Sequence, residues 1–118
     1  MDLQQAVRSY SFAERSKSEL LIASKLLLAL VSFSPKEKEG GRRMIISLMD
    51  AIRTEIDFAH NSTGNIEFQK AINHVNEAIS LTESGQFGLA AEKVAQSISA
   101  VTTVAQAAWQ VLDERGLL

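Results

Sequence analysis

Apolar residues along this chain recur in steps of three and four, and no segment alternates between apolar and polar residues. Steps of three and four place side chains on one side of an α-helix, whereas a half-buried β-strand would show strict alternation. The single proline and the few aromatic residues also favour helices over strands. The pattern therefore predicts an all-α protein.

Short turn-forming stretches divide the chain into four helices. SPKE (34–37) predicts a helix start, because Ser34 and Glu37 can form a capping box and Pro35 suits the first helical position. HNSTGN (60–65) is loop-like in composition, with Asn65 as the next cap, and Gly85 and Gly116 are typical helix ends. We expect an up-down-up-down four-helix bundle in one domain, 1–118, with helices at about 3–33, 35–60, 66–83 and 87–115.

Each predicted helix has an apolar stripe that we expect to face inward. In the first helix the stripe contains Leu3, Ala6, Tyr10, Ala13, Lys17, Leu20, Ser24, Leu27 and Val31. Residues 20–33 are apolar at eleven of fourteen positions, which predicts burial on nearly all sides. Gly40 and Gly41 weaken the start of the second helix by about 1 kcal/mol each, so they either loosen its first turns or separate them as a loop.

The last helix contains VAQSISAVTTVAQAAWQVL (94–112), nineteen residues without a charged side chain. One polar line runs along it, with charge only at its ends: Glu92, Gln96, Ser99, Thr103, Gln106, Gln110 and Asp113. Small residues flank this line: Ala91, Ala95, Ala100 and Ala107. Either this side is solvated and happens to be neutral, or it contacts another chain. We favour the contact, because solvated helices normally use Lys, Glu and Arg, and neutral polar groups cost less to desolvate than charges.

This reasoning predicts a homo-oligomer, most simply a two-fold dimer, in which a helix of another protein could also dock. The predicted interface consists of Ala95, Gln96, Ser99, Thr103, Gln106, Trp109 and Gln110. The inner stripe expected for the last helix consists of Phe87, Ala90, Val94, Ile98, Val101, Ala105, Ala108 and Leu112. Trp109 lies one position past this stripe, so it either closes the end of the bundle or anchors the contact between subunits, where tryptophan is enriched.

Metal chemistry is not indicated by the sequence. Ferritin-like di-metal centres need two Glu-x-x-His pairs and two further glutamates, but this chain has only two histidines. Asp57 precedes His60 at the required spacing, whereas His74 is followed by Glu77 in the reverse order. There are no cysteines to provide thiolate ligands. We expect no metal, no cofactor and no catalytic site of this kind.

RTEIDFAH (53–60) permits a different interpretation. Arg53, six intervening residues and His60 resemble the Arg-x4–6-His motif of HEPN ribonucleases, which are helical bundles of similar size. The resemblance implies that Arg53 and His60 would lie near a subunit junction and act on an RNA phosphodiester. The simpler interpretation is an ion pair between Arg53 and Asp57, with His60 stabilised near the negative end of its helix.

The charge distribution does not favour nucleic acid as a partner. The net charge is −2, and the basic group Lys36, Lys38, Arg42 and Arg43 is interrupted by Glu37 and Glu39, as in a solvated turn. Six charged residues among residues 1–19 predict that no secretion signal begins the chain and, with no membrane helix expected, a cytoplasmic protein. The sequence thus predicts a non-enzymatic interaction protein, with a HEPN-like nuclease or nucleotide-binding module using Arg53 and His60 as the alternative.

Overall fold

The computed structural model describes all residues 1–118 as four α-helices joined by short turns, with no strand. The helices are α1 (Leu3–Leu30), α2 (Pro35–Thr63), α3 (Ile66–Glu83) and α4 (Phe87–Glu114). α1 packs against α2 and α4, and α3 packs against the same two helices, so the four form a closed square. Short turns reverse the chain between consecutive helices, which gives an elongated up-down-up-down bundle of 53 × 23 × 17 Å. The predicted fold class is confirmed.

The predicted helix starts are present with their caps. The Ser34 hydroxyl accepts from the backbone N–H of Glu37 at 3.3 Å, and the Glu37 carboxylate accepts from the backbone N–H of Ser34 at 3.1 Å. Asn65 caps α3 by accepting from the N–H of Glu67 at 2.9 Å. α1 has a capping box of its own between Asp2 and Gln5. These contacts satisfy backbone donors that have no partner within the helix.

α1 ends at Leu30, three residues before the position expected from the sequence. Beyond it, the N–H groups of Val31, Ser32 and Phe33 bond to carbonyls three residues back, a tighter pattern than the α-helix. Ser34 is extended, with φ −63° and ψ 155°. A residue that precedes proline disfavours the helical conformation, so the chain must leave the helix before Pro35.

α2 continues to Thr63, so the loop expected at residues 60–65 is shorter than its composition suggested. The Thr63 hydroxyl donates to the Ala59 carbonyl at 2.8 Å, which accommodates a polar side chain in the last turn. Gly64 then adopts a left-handed φ of 69° and donates its N–H to the His60 carbonyl at 2.7 Å. The helix therefore ends where a residue without a Cβ atom first permits the reversal.

The two glycines near the start of α2 do not interrupt the helix. Gly40 lies in open surroundings, where a side chain would meet nothing within 4 Å. Gly41 instead faces the Leu30 side chain, and a Cβ atom there would overlap with Leu30 Cδ2. The glycine at position 41 thus lets the first turns of α2 approach the end of α1 closely.

The core runs along the bundle axis, and in α1 it includes four of the nine residues expected inside, namely Ala6, Ala13, Leu20 and Leu27. The buried residues of α1 are Ala6, Ser9, Ala13, Ser16, Leu20, Ala23, Leu27 and Leu30. Tyr10, Lys17 and Ser24, which we expected inside, are only half-buried, and Leu3 and Val31 are exposed. α1 has its most extensive contact with α4. Short serine and alanine side chains permit this close approach, whereas tyrosine and lysine fit only at its edge.

A buried hydrogen bond joins α3 and α4 near the middle of the bundle. The Ser97 hydroxyl, fully buried, donates to the Ala71 carbonyl at 3.0 Å. A buried hydroxyl without a partner would cost about 1–3 kcal/mol, so this bond fixes how α4 is rotated against α3. That rotation determines which residues of α4 lie on the outside.

Candidate interaction surface

Every residue of the predicted interface lies on the outer side of α4. We call this set the α4 face: Ala95, Gln96, Ser99, Thr103, Gln106, Trp109 and Gln110, all of which are exposed in the single chain. Glu92 and Asp113, also exposed, are the charged residues at its two ends. The Thr103 hydroxyl donates to the Ser99 carbonyl at 3.0 Å. Covering Thr103 would therefore leave its donor satisfied.

The alanines beside the polar line do not all belong to this surface. Ala95 and Ala107 are exposed, but Ala91 and Ala100 are buried in the core, which corrects the expectation that all four are available for a contact. α4 has two neighbours, α1 and α3, and alanines on the shoulders of the helix fall within those contacts. Only the two alanines nearest the polar line remain outside.

Trp109 lies half-exposed at the side of the bundle and does not close its end. Its exposed fraction is 47%. The end of the bundle is closed by a small cluster of Ala6, Ala108 and Leu112. Trp109 and Gln106 instead line a shallow groove of about 250 Å³ between α4 and α1; its other lining residues are Tyr10, Glu14, Lys17, Thr102 and Ala105. The structure thus extends the candidate surface from α4 onto α1.

The second half of α1 exposes large apolar side chains along two edges, although the sequence predicted burial on nearly all sides. On the edge of α1 nearest α4, Leu21 and Leu28 are exposed. They lie seven and fourteen residues after Glu14, which lines the groove between α1 and α4, so all three are on the same side of the helix. On the edge of α1 nearest α2, Ile22 and Leu26 are exposed. Ile22 lies seven residues after Arg15 and Leu26 fourteen after Phe12, and both of those earlier residues face α2. Four helices leave the outer side of α1 uncovered. An unpaired apolar edge therefore adjoins the α4 face.

The charged residue of α4 nearest the start of the α4 face pairs with α3, whereas Glu14 and Lys17 of α1 line the groove beside Trp109. Lys93, on the α3 side of α4, forms an ion pair with Glu77 at 2.8 Å. This hydrogen bond, together with the Lys93 and His74 charges, keeps the pKa of Glu77 below its ordinary value despite some desolvation. His74 Nδ1 is 3.6 Å from the same carboxylate. The outside of α4 is neutral from Gln96 to Gln110 because the sequence places no charged residue there.

Arg53 and His60, the residues of the HEPN-like interpretation, lie in surroundings that differ from each other. Arg53 donates to Asn76 of α3 at 2.7 Å and also pairs with Asp50, not with Asp57 as the sequence suggested. Asp50 lies one turn before Arg53 and accepts from its Nη2, whereas Asn76 accepts from its Nη1. Both terminal nitrogens of the guanidinium therefore have partners. Arg53 lines a shallow depression with Thr54, Asp57, Ile72 and Asn76 that does not include His60. His60 lies in the last turn of α2. The structure therefore does not bring the two into one cleft.

The structure shows an all-α four-helix bundle with a neutral outer surface on one helix. No group of three or more histidine, aspartate or glutamate side chains is arranged to hold a metal ion. None of the helices is both long enough and apolar enough to cross a membrane. Comparison with protein families, with curated proteins and with solved structures finds no match to the chain.

Proposed function

We propose that this protein is a non-enzymatic interaction protein that forms a homodimer through the α4 face and the adjoining edge of α1. The observation that carries the proposal is the outer side of α4, which is exposed in the folded chain yet lacks charge from Gln96 to Gln110. Trp109 would be its anchor. A helix of another protein is the second kind of partner that this surface could accept. We also propose that the protein is cytoplasmic, as expected from the sequence.

Desolvation favours a contact on this surface over one elsewhere on the bundle. Burying a neutral amide or hydroxyl without a new partner costs about 1–3 kcal/mol, whereas burying an unpaired charge costs far more. The glutamines can make new hydrogen bonds across a two-fold axis, because each carries both a donor and an acceptor. Covering Trp109, Leu21 and Leu28 supplies the favourable term, at about 25 cal/mol for each Å² of apolar surface removed from water.

The size of the surface indicates that α4 cannot form a stable contact alone. An α-helix rises 1.5 Å per residue and is about 10 Å across, so the stretch from Ala95 to Gln110 has a footprint of roughly 240 Å². A stable interface buries about 800 Å² on each partner. The proposal therefore includes the α1 edge, with Leu21 and Leu28, and the groove beside Trp109.

Replacing Ser99 and Thr103 together with glutamate tests the proposal. Two copies related by a two-fold axis would bring four new carboxylates into the contact, and a buried, unpaired charge is strongly destabilising. We expect the double variant to elute with the mass of one chain in size-exclusion chromatography with light scattering. Its helix content by circular dichroism should match the native value, because both positions are exposed.

A matched control places the same charges on a different helix. Ser47 and Ala51 of α2 are also exposed and have the same spacing of four residues. Ser47→Glu with Ala51→Glu should leave the mass of two chains unchanged. If the α4 variant keeps that mass, or if both variants lose it, the α4 face is not the contact.

A further inference from the structure

Two carboxylates meet between α1 and α2, the pair of neighbouring helices with the least extensive contact. Glu55 of α2 accepts from Arg15 Nη2 at 2.7 Å, and Glu19 of α1 accepts from Arg15 Nε at 3.3 Å. Because these are neighbouring nitrogens of one planar guanidinium, the two carboxylates lie side by side. One cation therefore serves two anions.

One oxygen of Glu55 has no donor. Oε1 accepts from Arg15, but Oε2 is buried and receives no hydrogen bond. A buried acceptor that lacks a donor costs free energy, and an ionised acceptor costs more than a neutral one. A carboxyl group becomes a donor when it is protonated. A proton on Glu19 would therefore supply the bond that Oε2 lacks.

The surroundings of Glu19 favour the protonated form. Partial burial raises the pKa of Glu19 above its ordinary value of 4.5, the hydrogen bond and the charge of Glu55 raise it further, and Arg15 opposes them. No charged group of α3 or α4 acts on the Glu19 carboxyl, and the one ion pair of Glu55 is with Arg15. The Arg15 side chain is 69% exposed, so solvent screens its opposing charge.

We propose that Glu19 and Glu55 share one proton across α1 and α2, and that this carboxyl pair is a pH-sensitive contact that tightens the two helices as pH falls. In the protonated state, the Glu19 O–H donates to Glu55 Oε2 while Glu55 Oε1 keeps its bond to Arg15. When the proton leaves, the two carboxylates repel each other and Oε2 loses its donor. A pocket of about 270 Å³, lined in part by Arg15 and Glu55, lies beside the pair, so water has a route to the contact.

The direction of the pH effect follows from the raised pKa of Glu19. A carboxyl whose pKa is higher in the folded chain than in the unfolded chain binds its proton more readily in the folded chain. Its contribution to stability is fully present below the unfolded pKa and is lost as pH rises through the raised value. Glu37 and Glu77, whose pKa values are lowered, have the opposite dependence.

Carboxyl ¹³C NMR of the native chain, titrated from about pH 3 to about pH 8, tests the shared proton. We expect the Glu19 resonance to titrate with a pKa above 4.5. The Glu55 resonance should shift in the same step, because a shared proton belongs to the pair and not to one residue. A Glu19 pKa at or below 4.5 would overturn the proposal, as would a Glu55 resonance that does not respond to the Glu19 step.

Glu19→Gln tests the effect on stability. The carboxamide oxygen can still accept from Arg15, and the amide N–H can donate to Glu55 Oε2 at every pH, so the variant imitates the protonated carboxyl. We expect its Tm to exceed the native Tm at neutral pH, and the difference to shrink as pH falls through the raised pKa of Glu19.

Glu114→Gln, at the exposed end of α4, is the matched control, since it removes the same charge from a residue without an ion pair, and its pH dependence should follow that of the native chain. All proteins are compared at one concentration. A native and a Glu19→Gln Tm that differ by the same amount at every pH would overturn the proposal, as would an equal change in the control. If Glu19→Gln does not fold, the NMR titration of the native chain still decides the question.

Discussion

Replacing Gly40 and Gly41 with alanine, one at a time, provides a sensitive test of how α1 and α2 pack. The two residues are neighbours in the same helix, so the gain in helix propensity is similar for both, about 1 kcal/mol. Their surroundings differ. Position 40 is open, whereas a Cβ atom at position 41 would overlap with Leu30 Cδ2, and Leu30 is only 2% exposed.

The predicted magnitudes follow from these surroundings. Gly40→Ala should raise the free energy of unfolding by about 1 kcal/mol, which corresponds to roughly 4 °C in Tm for a chain of this length. In Gly41→Ala, displacement of the buried Leu30 side chain costs about 1–3 kcal/mol, as other overpacked sites do. This cost cancels or outweighs the propensity gain. We therefore expect Gly41→Ala to be less stable than Gly40→Ala by about 1–3 kcal/mol.

Urea denaturation followed by circular dichroism measures the difference directly. Both variants and the native chain must be compared at one protein concentration, because association would couple stability to concentration. Equal stabilisation by the two alanines would refute the close packing of Leu30 against Gly41. Equal destabilisation would instead refute the continuous helix through Gly40.

Three further predictions concern the anchor, a helix cap and the nuclease alternative. Trp109 is the single tryptophan, so its fluorescence emission should shift to shorter wavelength as protein concentration rises and the dimer forms; a constant spectrum would argue against its burial. Hydrogen bonds from Ser34 hold the pKa of Glu37 below its ordinary value of 4.5, so Glu37 stabilises the fold above that value and loses this contribution as pH falls through its lowered pKa. The stability difference between native and Glu37→Ala should accordingly shrink under acid in thermal unfolding. In an RNA-cleavage assay, native protein and the variants Arg53→Ala and His60→Ala should show equal, negligible rates, and activity lost in either variant would restore the HEPN-like interpretation.

The helix pattern predicted the fold because local signals carry most of the information for a bundle. The capping box of SPKE (34–37) and the asparagine cap at Asn65 set helix starts through contacts within three residues, which are readable along the chain. In α3, the apolar residues recur at spacings of one and three and are all buried: Phe68, Ala71, Ile72, Val75, Ala78 and Ile79. For such elements, periodicity alone specifies which side is buried.

Features that depend on a neighbouring helix could not be predicted in the same way. Ser9 and Ser16 face the core of the bundle because α4 approaches closely, whereas the spacing of three and four along the sequence placed Tyr10 and Lys17 inside. Arg53 pairs partly with a residue of α3, which no spacing within α2 reveals. The pocket at Glu55 likewise requires the relative position of two helices.

The candidate surface contains features of both kinds, some that the local sequence predicts and some that depend on a neighbouring helix. The polar line of α4 was predicted correctly as an outer surface, because it lies opposite the apolar stripe at regular intervals. Ala91 and Ala100 were misplaced by about one position around the helix, since the extent of its contacts with α1 and α3 is a property of the assembled bundle. The groove beside Trp109 was missed for the same reason.

The mass of the native chain in solution tests the central claim most directly. Light scattering coupled to size-exclusion chromatography at micromolar concentration should give twice the 12.9 kDa of one chain. A uniform mass of 12.9 kDa across that concentration range would contradict the account, since the uncharged side of α4 would then be a surface that simply faces water.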